Sequence, residues 1–269
     1  TIYAVMLGSA NECAYATAEH IGGSIKGFVK MMNDRAKEIG CKDSTFCNPH
    51  GLPDKKHKTS AYDMAIISRE ALKNENFRKI TGTKTYTIPP TNKHKEETYL
   101  VNHHAMLTYY HTGRYIYDGC IGGKTGYTKI AKRTLVTTAS KNNINLVVVT
   151  LNDGDDWNDH IELFDYGFNT YKKYSILKKG KIEVPDTQYK NYQYYIKNDF
   201  NYILDNIEKD NIILKFKIEK NKIIKNNMKI GKIEVYLTNT LIYTDDLYIS
   251  KKEKTTFLDK VKGWFKNDK

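Results

Sequence analysis

The sequence predicts an α+β fold: an antiparallel sheet covered by helices, then a small β-rich domain and a terminal amphipathic helix. Three observations carry that reading. Apolar residues recur at three-to-four spacing in Ile25, Phe28, Val29, Met32, Ala36 and Ile39, and again in Trp157, Ile161, Phe164, Phe168 and Tyr171; this is the period of a helix with one buried face. Two strand-like runs, "RTLVTTAS" and "INLVVVTL", are separated only by "KNN", the pattern of a β-hairpin. After about residue 177 the texture changes, and "IILKFKIEK" and "GKIEVYL" alternate apolar with charged residues without a long helical pattern.

The elements follow in order. The first residues read as an apolar helical pattern already under way, and an alanine-rich run from Asn11 to His20 reads as a helix stopped by Gly22-Gly23. Ser24 is placed to cap the next helix, which Gly40 ends. "CKDSTFCNPHGLPDKKHKT" holds Pro, Gly and Asn at turn positions and reads as a loop. Ser60-Ala61-Tyr62-Asp63 resembles a capping box at the head of a helix through Met64, Ile67 and Ala71. Residues 84 to 115 are mixed, with a strand near Tyr86 to Ile88; a strand over 120–126, the hairpin and the long helix complete the first domain, 1–176. The β-rich domain spans 177–250. In the tail, 251–269, Phe257, Leu258, Val261, Trp264 and Phe265 share one helical stripe with lysines opposite, the make-up of a helix lying on an anionic membrane surface.

Composition narrows the function classes. With 40% hydrophobic and 12% aromatic residues in 269, the chain can bury a core. The net charge of +12 favours an anionic partner. The lysines are spread along the chain among 31 acidic residues, and no nucleic-acid-binding motif is present, so no nucleic acid is expected. Cys13, Cys41, Cys47 and Cys120 follow neither a zinc nor a dense disulfide spacing. Cys41 and Cys47 are near enough in sequence to pair, but free thiols are the preferred reading. No metal and no cofactor are expected.

Lys124-Thr125-Gly126 combines a point positive charge, a small donor and acceptor, and a residue without a Cβ. That set suits a substrate ending in a carboxylate and held along a sheet edge. Ser9-Ala10-Asn11, ahead of the alanine-rich helix, is the second motif. Taken singly, Ser9 reads first as a helix N-cap and Asn11 as a polar first-turn residue, and Lys124 can be a surface lysine and Thr125 a strand former. His50 in "NPHGL" reads as a turn-stabilising residue, and His160 and Arg133 as spare cations for a carboxylate.

Together, Ser-x-Asn followed by Lys-Thr-Gly is part of the signature of serine penicillin-recognising enzymes. "SANECAYATAEHIGGSIKGFVKMMNDRAKEIGCKDSTFCNPHGL", "TSAYDMAIISREAL", "IGGKTGYTKIAKRTLVTTAS" and "DWNDHIELFDYGF" resemble, in the same order, segments of low-molecular-weight penicillin-binding proteins, the serine-type D-alanyl-D-alanine carboxypeptidases. The resemblance implies a penicillin-recognising transpeptidase-like domain and acyl transfer. It makes Ser9 the second hydroxyl, relaying a proton toward the leaving D-alanine, and Asn11 an amide donor to the substrate. It sets Lys124 across the cleft from Ser9, Thr125 on the terminal carboxylate, Gly126 under the peptide backbone and the Tyr127 N–H as an oxyanion donor. The family's nucleophile lies in a Ser-x-x-Lys well upstream, whereas only eight residues precede Ser9. The chain is therefore expected to be N-terminally incomplete and inert alone. Ser175-Ile176-Leu177-Lys178 is a four-residue match in the wrong place.

The expected partners are a peptidoglycan stem pentapeptide ending in D-Ala-D-Ala and β-lactams as covalent inhibitors. The expected location is extracytoplasmic, at the outer face of the cytoplasmic membrane or in the wall. A non-catalytic wall-binding scaffold of the same fold is the alternative. A class A β-lactamase is disfavoured, because Ala10 stands where that class has Asp and because the β-rich domain is foreign to it.

Overall fold

The computed structural model describes residues 1–185, 189–219 and 223–252. It divides into two compact units, Thr1–Asn169 and Thr170–Lys269. The tail residues Phe257, Leu258, Val261, Trp264 and Phe265 lie outside the described residues.

In the first unit, α1 (Ile2–Gly8), α2 (Asn11–Gly22) and α3 (Ile25–Glu38) follow one another. Ser24 caps α3 as expected, its hydroxyl accepting from Gly27 N at 3.0 Å. After the loop comes α4 (Ala61–Ala71). Its capping box is only half formed: Ser60 Oγ accepts from Asp63 N at 3.2 Å, but the Asp63 carboxylate does not turn back to the helix. It is fully buried and instead accepts from Lys42 N, Asp43 N and Ser44 Oγ, fastening the preceding loop. Burial works against its ionisation, yet these three donors hold its pKa below the usual carboxylate range.

Helix α5 (Glu75–Thr81) and strand β2 (Thr98–Val101) are two elements the sequence pattern does not announce. Asn74 caps α5 through its side chain, and β2 pairs antiparallel with β1 (Thr85–Ile88). The main sheet is β3 (Cys120–Thr128), β4 (Lys132–Lys141) and β5 (Ile144–Leu151), in that order and antiparallel. Asn142 and Asn143 both adopt positive φ, 52° and 61°, which is what a two-residue hairpin turn demands. Alternation along β4 sorts the two faces of the sheet. Leu135 and Ala139 join Trp157 and Phe164 of α6 (Asp156–Thr170) in one core cluster. Val136 and Thr138 share a pocket with Met64 and Ile67 of α4. Helices thus cover both faces, while β3 keeps one outer edge unpaired in this sheet.

The second unit holds β6 (Lys172–Leu177), β7 (Gly180–Ile182), β8 (Tyr192–Ile196), β9 (Phe200–Leu204), α7 (Asn206–Asp210), β10 (Ile212–Ile218), β11 (Met228–Leu237) and β12 (Thr240–Lys251). Five strands form one sheet, β10-β11-β12-β8-β7, and β6 pairs with β9 in another. The core is mainly aliphatic: Leu177, Ile196, Ile230, Ile233, Val235, Leu247 and Ile249, joined by Tyr194. The change of unit falls after Asn169, before the 176/177 boundary read from the sequence. The reason is pairing: β6 runs from Lys172 and its ladder partner is β9, from Lys172↔Leu204 onward. Ser175 accordingly sits on β6 of the second unit, and Lys178 lies just past the strand's end at Leu177, so the two are not placed one helical turn apart as a Ser-x-x-Lys nucleophile and base would be.

Candidate active site

Ser9 is where α1 ends and α2 begins. It closes α1 in the left-handed conformation, φ 54° and ψ 37°, and Ala10 takes the N-cap place of α2. The side chain therefore does not cap a helix, which sets aside the bland reading of Ser9. A non-glycine residue held in this region costs on the order of 1–3 kcal/mol and persists only where its surroundings enforce it. Here the hydroxyl meets the Lys124 ammonium in a very short contact, across 115 positions of sequence. Lys124 Nζ also donates to Thr125 O at 2.8 Å.

Two grooves flank this contact. One, of about 430 Å³, is lined among others by Ser9, Asn11, His50, Lys124, Gly126 and Tyr127. The other, of about 470 Å³, is lined among others by Ser9, His103, Thr125, Tyr127, Arg133 and Asp156. Successive β3 side chains point to opposite faces, and Lys124, opposite Val136, lines the first groove only, whereas Thr125 (opposite Leu135), Gly126 and Tyr127 line both. All six residues picked out by the motifs, Ser9, Asn11, Lys124, Thr125, Gly126 and Tyr127, line one or both grooves.

Burial lowers the Lys124 pKa to about 8, since an ammonium taken from water loses hydration. At neutral pH it remains mostly charged, and it becomes a usable proton acceptor just above. Gly126 has a second reason to lack a side chain: a Cβ there would stand 2.5 Å from Thr134 Oγ1 on the paired strand. Behind β3, a Cβ on Gly123 would meet Val136 O at 2.1 Å and His104 Nε2 at 2.5 Å.

His50 stabilises its turn, with Nδ1 accepting from Leu52 N at 3.1 Å, and its ring stacks on Tyr15 at 4.9 Å. Burial lowers its pKa, so it adds no charge to the cleft. His160 is no cation for a substrate. It is fully buried, bonded to Thr137 Oγ1 and Thr150 Oγ1, with its pKa pushed down to about 3 by burial and then by His104. Arg133 does reach the groove, paired with Asp156 at the start of α6.

Sequence reasoning missed the supports of the site. Asn102 is buried and donates to Thr81 O and Thr83 O while accepting from His104 N. His104 is buried against Thr137, its pKa lowered to about 4 by burial. His103 lines the second groove. These residues sit in an irregular segment, so no periodicity marks them. The four cysteines are free; Cys41 and Cys47 are not joined.

A two-unit α+β protein with a hydroxyl and an ammonium facing each other beside a free sheet edge is the class that fold and site define. Comparison with known proteins is more particular. Residues 1–155 match the model of the peptidase S11 family, D-alanyl-D-alanine carboxypeptidase, and residues 169–255 match that of the penicillin-binding protein 5 C-terminal domain. The chain belongs to the D-alanyl-D-alanine carboxypeptidase family.

Among relatives, it is 35% identical to D-alanyl-D-alanine carboxypeptidase DacF of Bacillus subtilis over 66% of this chain and 44% of that protein. It is 32% identical to DacA of Haemophilus influenzae over 66% and 43%. The chain thus spans less than half the length of these two curated relatives. Among solved structures, the D-alanyl-D-alanine carboxypeptidase of Mycobacterium tuberculosis matches with a TM-score of 0.55 and 30% identity, over 62% of each chain. Penicillin-binding protein 5 of Haemophilus influenzae matches with a TM-score of 0.64 over 93% of this chain and 72% of that one; at 24% identity it speaks for the fold.

Proposed function

We propose that the complete protein is a serine D-alanyl-D-alanine carboxypeptidase that trims peptidoglycan stem peptides, and that this chain supplies the cleft. The single observation that carries the reading is the contact between Ser9 and Lys124 beside the unpaired edge of β3. An extended peptide adds to such an edge as a further strand, its backbone held by β3 and its side chains by the flanking grooves.

In this reading a serine upstream of residue 1, in the Ser-x-x-Lys expected from the family, attacks the carbonyl of the penultimate D-alanine. The C–N bond breaks, and the leaving amine takes a proton relayed through the Ser9 hydroxyl. Lys124 keeps a positive potential beside that hydroxyl and, with its lowered pKa, exchanges protons with it near neutral pH. Asn11 donates to the substrate amide, Thr125 to the terminal carboxylate, and the Tyr127 N–H to the oxyanion. Water then hydrolyses the ester and frees the shortened peptide. β-Lactams occupy the same cleft and acylate the same serine.

We also place the protein outside the cytoplasmic membrane, with the stripe Phe257, Leu258, Val261, Trp264 and Phe265 lying on an anionic bilayer surface. Among the described residues no helix is long and apolar enough to cross a membrane. The test is the full-length protein with an N-acylated peptide ending in D-Ala-D-Ala and with a fluorescent penicillin. Release of D-alanine and covalent labelling are expected. Neither occurring would remove the assignment, and a full-length protein that ignores anionic vesicles would remove the membrane placement.

A further inference from the structure

The backbone of β3 reaches Lys124 through two glycines. A Cβ on Gly122 would stand 2.8 Å from Thr81 O, and one on Gly123 would stand 2.5 Å from His104 Nε2. These positions have no side chains of their own to seat the strand, and atoms from elsewhere take that space. Both fillers trace to one short segment. Asn102 donates to Thr81 O at 3.1 Å, and the imidazole of His104 lies against Gly123, one residue before Lys124.

His104 is held on several sides. Its N–H donates to Asn102 Oδ1 at 3.1 Å, and its carbonyl accepts from Leu107 N at 3.0 Å and Thr108 N at 3.1 Å. The ring meets Trp157 of α6 edge-on, with centroids 5.3 Å apart. Nε2 is 3.3 Å from Val136 O and 3.0 Å from Thr137 Oγ1; the carbonyl can only accept, so Nε2 carries the hydrogen. Across the ladder, Val136 stands opposite Lys124 and Thr137 opposite Gly123. Thr137 Oγ1 also touches His160 Nδ1 at 2.8 Å, and His160 Nε2 touches Thr150 Oγ1 of β5 at 3.2 Å. His104 Nδ1 is buried without a hydrogen bond among the described residues. An aliphatic side chain would fill the slot without that cost, so what the imidazole adds is its tie to β4. The ring lines neither groove, and any effect on the chemistry must pass through the strand.

We propose that His104 is the positioning residue for Lys124: by filling the Gly123 slot and bonding the facing residues of β4, it fixes where β3 presents the ammonium to Ser9. This rests on the carboxypeptidase reading above and deepens it. The titratable groups that bear on the ring are Lys124 and His160, with Asp153 bearing on His160 in turn. Both imidazoles are already neutral at neutral pH, so a change of rate on the alkaline side reports Lys124.

The experiment follows the labelling of the full-length protein by a fluorescent penicillin from neutral to alkaline pH, beside a thermal melt. In the wild type the rate should fall as Lys124 loses its proton near pH 8. His104→Leu keeps the volume and removes the tie, whereas His104→Gln keeps an N–H donor of similar reach. The Leu variant is expected to slow labelling at saturating penicillin by roughly 10- to 100-fold. It should also move the alkaline limb upward by about half a pH unit or more, as a less closely held ammonium regains water. The Gln variant should recover most of both. A lowered melting temperature with the limb unmoved, or a rate within about threefold of wild type, would overturn the proposal. If the Leu variant does not fold, Thr137→Val, which removes the hydroxyl between the two rings, decides by the same limb; there too an unmoved limb overturns it.

If the wild-type protein takes no penicillin label, the carboxypeptidase reading fails by itself. The His104 assignment is then decided by titrating the Lys124 ammonium resonance in the wild type and in Thr137→Val. A higher midpoint in the variant supports it, and equal midpoints overturn it.

Discussion

The two units bury different things. The second is held by a mainly aliphatic cluster between strands, with Ile230, Ile233, Val235, Leu247 and Ile249 all fully buried, and its buried carboxylates, Glu234 of β11 and Asp245 of β12, keep 7% and 9% exposure. The first buries Asp63, Asn102, His104, Asp156 and His160 beside its apolar residues: Asp63 fastens the loop at 42–44, Asn102 holds Thr81 and Thr83, Asp156 holds Arg133 at the groove, and the two imidazoles meet at Thr137 of β4. Aliphatic contacts are non-directional and demand only close packing. A buried amide or imidazole is costly unless each partner stays within hydrogen-bond reach. The polar interior thus confers definition on the irregular segments that frame Ser9 and β3, and it makes the first unit dependent on protonation.

The largest expected effect is on the cleft. Replacing Lys124 by Ala in the full-length protein should slow penicillin acylation by roughly 10²–10³-fold, the scale for losing one electrostatic contributor. A rate within threefold of wild type would detach the ammonium from the chemistry. Next, Ile233→Ala in the second unit should lower stability by about 2–5 kcal/mol through the cavity it leaves, as read by denaturant unfolding, with penicillin labelling at the cleft unaltered. Asn102→Ala should cost less, about 1–3 kcal/mol for the stranded partners, but should also weaken labelling, because it loosens the segment carrying His103 and His104. If the two variants behave alike, the contrast between the units is wrong.

Acid should separate the units further. The His104 and His160 pKa values are lowered to about 4 and about 3, so the unfolded chain takes up protons first. Stability is full above about pH 6.5 and is lost as pH falls toward 4 and then 3. Native-state hydrogen exchange should show the first unit opening earlier; simultaneous opening would count against the assignment. The smallest effect lies on the alkaline side. With Lys124 titrating near 8, ligand binding that needs its ammonium should fall about tenfold between pH 8 and 9.5. Over the interval from 8 to about 10.5 the unfolded lysine holds more protons than the folded one, so stability should rise with pH. Binding and stability moving in the same direction would show that Lys124 is not the titrating group.

The helices with clean apolar stripes, α3 and α6, and the hairpin at "KNN" were legible because their residues follow a local period or turn chemistry. Helix α5 and strand β2 were not. Both are short and mostly exposed, and they are specified by a cap and by cross-strand pairing. The capping-box pattern at Ser60 was half misleading, since Asp63 had a better use in binding the loop before it. The sequence boundary at 176/177 tracked composition, whereas the ladder between β6 and β9 decides the unit to which those residues belong.

From residue order alone came the α+β class, the two-part organisation, the motif residues Ser9, Asn11 and Lys124 to Tyr127, and the family they resemble; each is written in local period or in short fixed words. Only the folded chain decided that Ser9 takes a left-handed backbone and meets Lys124, that His160 is core, and that Arg133 reaches the cleft backed by Asp156. Those facts depend on side chains distant in sequence brought within a few ångströms, and on what burial then does to their charge.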